Sequence, residues 1–83
     1  MMIVKVCIKL LGSFRKLLPP DVDDYKFEVE IPAGTTLADL ITPYNVPLTE
    51  DTVFLVNGLS PDTLNQILAD GDTIAAFSSM AGG

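Results

Sequence analysis

The chain has 83 residues, 48% of them hydrophobic, with five Lys and Arg residues against eleven Asp and Glu residues. This length suits one domain, and so short a chain buries about three-fifths of its unfolded surface, which its hydrophobic content can supply without disulfides. The net charge of −6 argues against a nucleic-acid partner, because no basic patch exists to neutralise phosphates.

The inventory of reactive side chains is small: the sequence contains no histidine, no tryptophan and one cysteine. Serine or cysteine nucleophiles that depend on histidine are therefore excluded, and a zinc-type site lacks its usual ligands. We expect no catalysis by the chain alone, no metal and no bound cofactor. Cys7 cannot form an internal disulfide, which favours a reducing, cytoplasmic setting. The apolar stretch 1–11 carries two lysines and is too short to span a bilayer, so we expect neither a signal peptide nor a membrane partner.

Two strands are predicted in the first part of the chain. Alternating apolar residues indicate a strand over 4–11, and a second alternation indicates a strand over 25–31 that pairs with the first as an antiparallel hairpin. Between them, Ser13 is expected to cap a short helical turn over 13–18, which two prolines end. The acidic residues 21–24 are typical of a solvated turn.

A short amphipathic helix follows. Thr36 with Asp39 three residues later is a variant of the capping box, so the helix is expected to begin at Leu37. Pro43 disfavours helical geometry at the residue before it, so we predict a helix that is short or kinked.

The last part of the chain contains two further strands. The apolar run 53–56 ends at Asn57-Gly58, a strong turn signal, and a final strand is predicted over 73–78. Ser60-Pro61 is expected to cap another brief helical turn through residue 67. Both strands are apolar on both alternating sets, whereas one helix covers only one face of a sheet. Either further cover exists, or the open face carries an apolar patch of the kind that docks a partner; we favour the second.

Taken in order, these motifs resemble the MoaD/ThiS sulfur carriers of the ubiquitin-like, β-grasp superfamily over nearly the whole chain. The similar stretches are Val6–Leu18, Ile31–Leu37, Val56–Gly58, Asp70–Phe77 and Met80–Gly83. The resemblance implies an α+β, β-grasp fold with a mixed four- to five-stranded sheet and one main helix. It also implies a domain over residues 1–78 and a flexible functional tail over 79–83.

The same resemblance implies that Gly83 is a covalent sulfur carrier. A ubiquitin-activating-type enzyme would adenylate its carboxylate with ATP, and a sulfurtransferase or persulfide donor would convert it to a thiocarboxylate for cofactor biosynthesis. Gly82, Ala81, Met80 and Phe77 would contact the partner, although plain packing is an equal alternative for Phe77.

The family has two biosynthetic branches. The segment 12–18, the chain length and Ala75-Ala76-Phe77 favour the molybdopterin branch, in which the acceptor is the large subunit of molybdopterin synthase. Ser78-Ser79 stands where that branch often has two prolines, so the thiamin branch, with thiazole synthase as acceptor, stays an alternative. Two further alternatives are a protein modifier conjugated through Gly83 and a β-grasp interaction module without tail chemistry.

Overall fold

The computed structural model describes residues 2–20, 22 and 25–79. Its elements are β1 (Ile3–Leu10), a 3-10 helix (Gly12–Leu17), β2 (Lys26–Pro32), α1 (Leu37–Ile41), a second 3-10 helix (Thr42–Tyr44), β3 (Thr52–Val56) and β4 (Thr73–Ser78). The four strands form one sheet in the order β2-β1-β4-β3. β1 is antiparallel to β2 and parallel to β4, and β3 is antiparallel to β4. This mixed sheet is the predicted β-grasp fold, with four strands.

One face of the sheet packs against α1 and forms the hydrophobic core. Alternate residues of the central strands are fully buried over most of their length, including Ile8 and Leu10 of β1 and Ile74 of β4, and Leu37 and Ile41 of α1 are buried against them. The period of two that the sequence shows is therefore the alternation between this face and the opposite one. None of the described strand residues on the opposite face is fully buried.

The predicted capping box at the start of α1 is present. The Thr36 hydroxyl accepts a hydrogen bond from the Asp39 amide at 3.1 Å, and the Asp39 carboxylate accepts one from the Thr36 amide at 3.4 Å. The α-helix is five residues long and continues as the 3-10 helix that contains Pro43. Asn45 ends this segment in the left-handed conformation, at φ 63°. The prediction of a short helix is confirmed.

The predicted Ser13 cap is wrong. The first 3-10 helix starts at Gly12, the residue before it is Leu11, and no side chain caps its first turn. The Phe14 amide instead donates to the carbonyl of Leu11 at 3.1 Å. Gly12 lies at φ 58°, a conformation that glycine adopts without steric cost, so the turn begins one residue earlier than the serine suggests.

The predicted helical turn over 60–67 is also wrong, because this segment is irregular. Its carbonyl groups serve α1: Gln66 accepts from the Leu37 amide and Leu64 from the Ala38 amide, both at 2.9 Å. These amides belong to the first turn of α1, where the N–H groups have no hydrogen-bond acceptor within the helix. Tertiary hydrogen bonds therefore determine the conformation of the segment in place of its local helix signals.

Candidate functional site

The described part of the candidate site is the point where the chain leaves the sheet. β4 is a central strand; on one side the Leu11 amide donates to the Ala76 carbonyl at 3.0 Å. On the other side the amide and hydroxyl of Ser79 donate to the Asp51 carbonyl at 2.7 and 3.0 Å. The main chain is therefore held from both sides as far as Ala76, and from the β3 side as far as Ser79. The predicted site residues Met80, Ala81, Gly82 and Gly83 lie outside the described residues.

These hydrogen bonds bear on the length of the predicted tail. Ser79 was assigned to the tail from sequence, and the structure ties it to the turn before β3. The boundary between domain and tail stays a prediction, but only the four residues after Ser79 follow the last hydrogen bond shown. Four extended residues reach about 14 Å.

The face of the sheet opposite α1 carries an apolar patch beside this exit point. Val53 lies directly opposite Phe77, and Leu55 directly opposite Ala75. All four side chains are half-buried, and none belongs to the core or to the side chains that pack against it. We call Val53, Leu55, Ala75 and Phe77 the apolar patch. Phe77, the described member of the predicted partner-binding set, is thus placed on the open face and not in the core.

The same face is charged across the other two strands. On β1, Lys5 and Lys9 flank Cys7; on β2, Lys5 lies opposite Glu30 and Lys9 opposite Lys26. Cys7 is a half-buried free cysteine. The open face therefore divides into an apolar half, formed by β3 and β4, and a charged half, formed by β1 and β2.

The aspartates around Gly71 have structural partners, as expected for turn-forming residues. Asp70 accepts from the Lys5 amide at 2.8 Å. Asp72 accepts from the Ala69 amide at 2.8 Å and from the Asn57 side chain at 2.9 Å. In residues 2–20, 22 and 25–79, no group of three or more His, Cys, Asp or Glu residues is arranged to hold a metal ion. Within the same residues, no helix is long and apolar enough to cross a membrane.

A groove between β2 and the helical segment was missed by the sequence reasoning. It has a volume of about 580 Å³, and its apolar lining includes Val29, Ile31, Leu40 and Tyr44. The Tyr44 ring packs edge-on against Phe27, with ring centroids 5.4 Å apart. Burial raises the pKa of the Tyr44 phenol. The alternation in β2 and the helical spacing up to Tyr44 are visible in the sequence, but neither indicates that β2 is an edge strand.

The mixed sheet, its one short α-helix and its central last strand define a small ubiquitin-like β-grasp protein. The chain belongs to the Mut7-C ubiquitin family, whose model matches residues 3–81. No curated protein matches the sequence significantly.

Several solved structures share the fold over almost the full chain. A Pyrococcus furiosus protein assigned as molybdopterin converting factor subunit 1 has a TM-score of 0.72 and 26% identity, covering 93% of this chain and 99% of its own. SAMP1 from Haloferax volcanii has a TM-score of 0.71 and 20% identity, covering 95% and 99%. The Haloferax volcanii HVO 2177 protein has a TM-score of 0.77 and 18% identity, covering 98% and 88%. The resemblance to MoaD-like, ubiquitin-like proteins is confirmed.

Proposed function

We propose that this protein is a sulfur carrier that works through the carboxylate of Gly83 and supplies sulfur for molybdopterin synthesis. The observation that carries the proposal is the exit of the chain from β4. The strand is hydrogen-bonded on both sides up to Ala76 and on the β3 side up to Ser79, so the described chain ends beside the apolar patch, four residues before Gly83. The similarity to the Pyrococcus furiosus protein, at 26% identity, supports the molybdopterin branch.

The chemistry begins with activation, because a carboxylate is a poor electrophile. The Gly83 carboxylate attacks the α-phosphorus of ATP in the activating enzyme, pyrophosphate leaves and an acyl adenylate forms. A persulfide sulfur of the donor then attacks the acyl carbon, and AMP leaves with the C–O electron pair. A thiol reduces the resulting acyl disulfide and releases the thiocarboxylate, a stronger nucleophile than the carboxylate.

In these reactions the chain positions its own carboxylate and contributes no catalytic side chain. The last two residues of the sequence are glycines, which lack Cβ and pass through a narrow channel toward the nucleotide. Met80 and Ala81 would lie at the entrance of this channel in the activating enzyme. The apolar patch would dock first on the activating enzyme and then on the large subunit of molybdopterin synthase. ATP is bound by the activating enzyme and not by this chain.

The decisive experiment is intact-mass spectrometry after incubation with ATP, the activating enzyme and a sulfur donor. Replacement of one oxygen by sulfur adds about 16 Da to the unaltered chain. Deletion of Gly83 withdraws the carboxylate by about 3.5 Å and should abolish the gain. The matched control appends one alanine after Gly83, which keeps every native residue and masks the carboxylate. Sulfur on the deletion variant would contradict the proposal.

A protein modifier is the second candidate function. The observation that favours it is the fold shared with small archaeal modifier protein 1 of Haloferax volcanii. In that case a lysine amine of a target replaces AMP, and an isopeptide bond forms. A search for conjugates in cells distinguishes the candidates, because a modifier yields a mass ladder of products heavier by whole proteins. Thiazole synthase as acceptor is tested by offering both acceptor enzymes to the thiocarboxylate form. If the tail is inert in all these reactions, the remaining candidate is a β-grasp interaction module without tail chemistry.

A further inference from the structure

The two edges of the sheet differ in how many main-chain groups they leave open. In an antiparallel pair, residues alternate between hydrogen-bonding their neighbour and facing the other way. The Leu10 amide donates to the Tyr25 carbonyl and the Ala33 amide to the Met2 carbonyl, both at 3.0 Å. In the β1–β2 register these bonds place Phe27, Val29 and Ile31 in hydrogen-bonded pairs. The amides and carbonyls of the residues between them therefore point to the free edge.

The free edge of β2 is open over Lys26, Glu28 and Glu30. Among the described residues, no turn, loop or side-chain hydrogen bond reaches the main chain of these three residues. Pro32 ends the open stretch, since it has no amide and its carbonyl already accepts from Thr35 at 3.2 Å. The open edge is thus about one short strand in length.

The free edge of β3 is largely closed by its own flanking turns. Thr52, Phe54 and Val56 face outward there. The Thr52 amide donates to Thr49 at 3.1 Å, and Val56 exchanges two hydrogen bonds with Leu59, at 2.8 and 3.1 Å. Only Phe54 keeps both its outward groups. An additional strand therefore finds a hydrogen-bonding ladder at β2 and not at β3.

The surroundings of the β2 edge fit a strand with two different faces. On the core side, the groove of about 580 Å³ lies along the edge and is lined by Val29, Ile31, Leu40 and Tyr44. On the open-face side, the exposed side chains of Lys26, Glu28 and Glu30 stand next to the same edge, with two acidic groups against one basic group. Charges on an edge strand often serve to prevent pairing. Here the groove still offers an apolar lining beside the edge, and the two charged residues that also line it, Glu30 and Asp39, are both acidic.

We propose that the free edge of β2 binds an extended peptide segment of a partner protein, which joins the sheet as a fifth strand. The segment has apolar side chains at alternate positions, directed into the groove, and Lys or Arg residues between them, next to Glu28 and Glu30. Main-chain hydrogen bonds supply affinity in this recognition mode, and the alternate side chains supply specificity. This site is separate from the tail and from the apolar patch.

A second copy of the chain is a poorer occupant. Antiparallel pairing of two β2 strands about Glu28 sets each Lys26 opposite a Glu30 but leaves the two Glu28 side chains opposite each other, and parallel pairing aligns every charge with its like. Directly opposed like charges destabilise strand pairs. A basic segment makes the complementary arrangement with both glutamates.

The test uses the synthetic peptide acetyl-Lys-Val-Lys-Ile-Lys-Val-Lys-amide and the ¹⁵N-labelled full chain. We expect peptide-induced chemical shift changes at Lys26, Glu28 and Glu30 and along the groove. Amide exchange at these three residues should slow by about tenfold or more at saturation, because amides open to solvent become hydrogen-bonded. A peptide with Glu in place of every Lys should bind at least about tenfold more weakly, and added salt should weaken the binding of the basic peptide.

A pair of variants isolates the main-chain ladder. Glu28→Pro removes the outward amide, which an edge strand tolerates, whereas Glu28→Ala removes the charge and keeps the amide. We expect the proline variant to bind about tenfold more weakly than the alanine variant. If Glu28→Pro fails to fold, a peptide N-methylated at the amides that face β2 makes the same comparison on the native chain.

Three results would overturn the proposal. The first is the absence of detectable binding at a peptide concentration of about 2 mM, because a specific site would have a lower Kd. The second is shift changes confined to the apolar patch, and the third is protection of the β2 amides by self-association in the absence of peptide. The Gly83 deletion and Phe77→Ser variants should bind the peptide as the native chain does. The outcome is therefore independent of whether the chain carries sulfur.

Discussion

Tyr44 combines a ring contact with a titratable group at the edge of the core. Its ring lies edge-on to Phe27, and burial raises the pKa of its phenol above the ordinary value near 10. The unfolded chain therefore loses this proton at a lower pH than the folded chain. The resulting stabilisation is present below the unfolded pKa and is lost as the pH rises through the folded one.

The Tyr44→Phe variant keeps the ring and removes the phenol, so it should lack this pH dependence. We expect its unfolding free energy to fall less than that of the native chain between about pH 9 and about pH 11. Urea unfolding of both proteins at the two pH values measures the difference, with a comparison near pH 7 as the control for packing. Parallel losses in the two proteins would show that the phenol is not linked to folding.

Other residue-level features were predictable because their partners are close in sequence. The Thr36–Asp39 capping box spans three residues, and Asn57 and Gly58 adopt the positive φ values, 55° and 83°, that a tight hairpin turn requires. Ser13 was misassigned although it is an equally good local signal. There a glycine one position earlier offered the turn a better conformation.

At the scale of elements, α1 depends on contacts at its ends. An isolated helix of five residues is not stable in water, because nucleation costs more than so few hydrogen bonds return. The capping box satisfies two amide groups of the first turn region, and the segment 64–66 satisfies two more. Burial of Leu37, Leu40 and Ile41 then holds the helix on the sheet.

Loss of the Thr36 hydroxyl should therefore be measurable in the whole protein. We expect Thr36→Ala to lower the unfolding free energy by about 1 kcal/mol, the usual cost of removing such a cap. Thr36→Ser retains the hydroxyl oxygen and should retain most of the stability. Thermal or urea unfolding provides the values, and equal stability of the alanine and serine variants would contradict a role for the cap.

The strands were predictable from their alternation, whereas the segment between β3 and β4 was not. Alternation survives in the structure because one side of every strand meets the core. The segment 60–67 hydrogen-bonds to Leu37 and Ala38, far away in sequence. No local pattern encodes such a partner, and a serine followed by a proline is compatible with either outcome.

For the molecule as a whole, the sequence predicted an apolar surface but not its shape. The prediction compared two strands that are apolar on both faces with a single helix, which can cover only one face of the sheet. The strand order then places that surface beside the exit of the chain and places the β2 edge, with its groove, at the other side of the sheet. These relations are long-range and follow from topology. The chemistry assigned to Gly83 stays a proposal based on resemblance.

The docking role of the apolar patch gives a whole-molecule prediction. Phe77→Ser removes a large apolar side chain that lies outside the core, so we expect little change in melting temperature and at least about tenfold weaker binding to the activating enzyme. Arg15→Ser, at an exposed residue that is not a member of the patch, is the matched control. Isothermal titration calorimetry measures the affinities, and equal affinity of the two variants would place the docking surface elsewhere.

The central position of β4 also determines when this protein can fold. β1 and β4 pair in parallel, Cys7 with Thr73 and Leu10 with Ala76, so the strand that completes the sheet is the last of the four strands to be synthesised. Until it is present, β1 has one neighbour and β3 has none. Pairing between such distant segments is slow, because a long loop must close before any contact forms. The nascent chain is therefore expected to stay unfolded until β4 has been synthesised. Premature termination anywhere before β4 removes one of the two central strands, so a truncated chain would not present a folded domain to its partners.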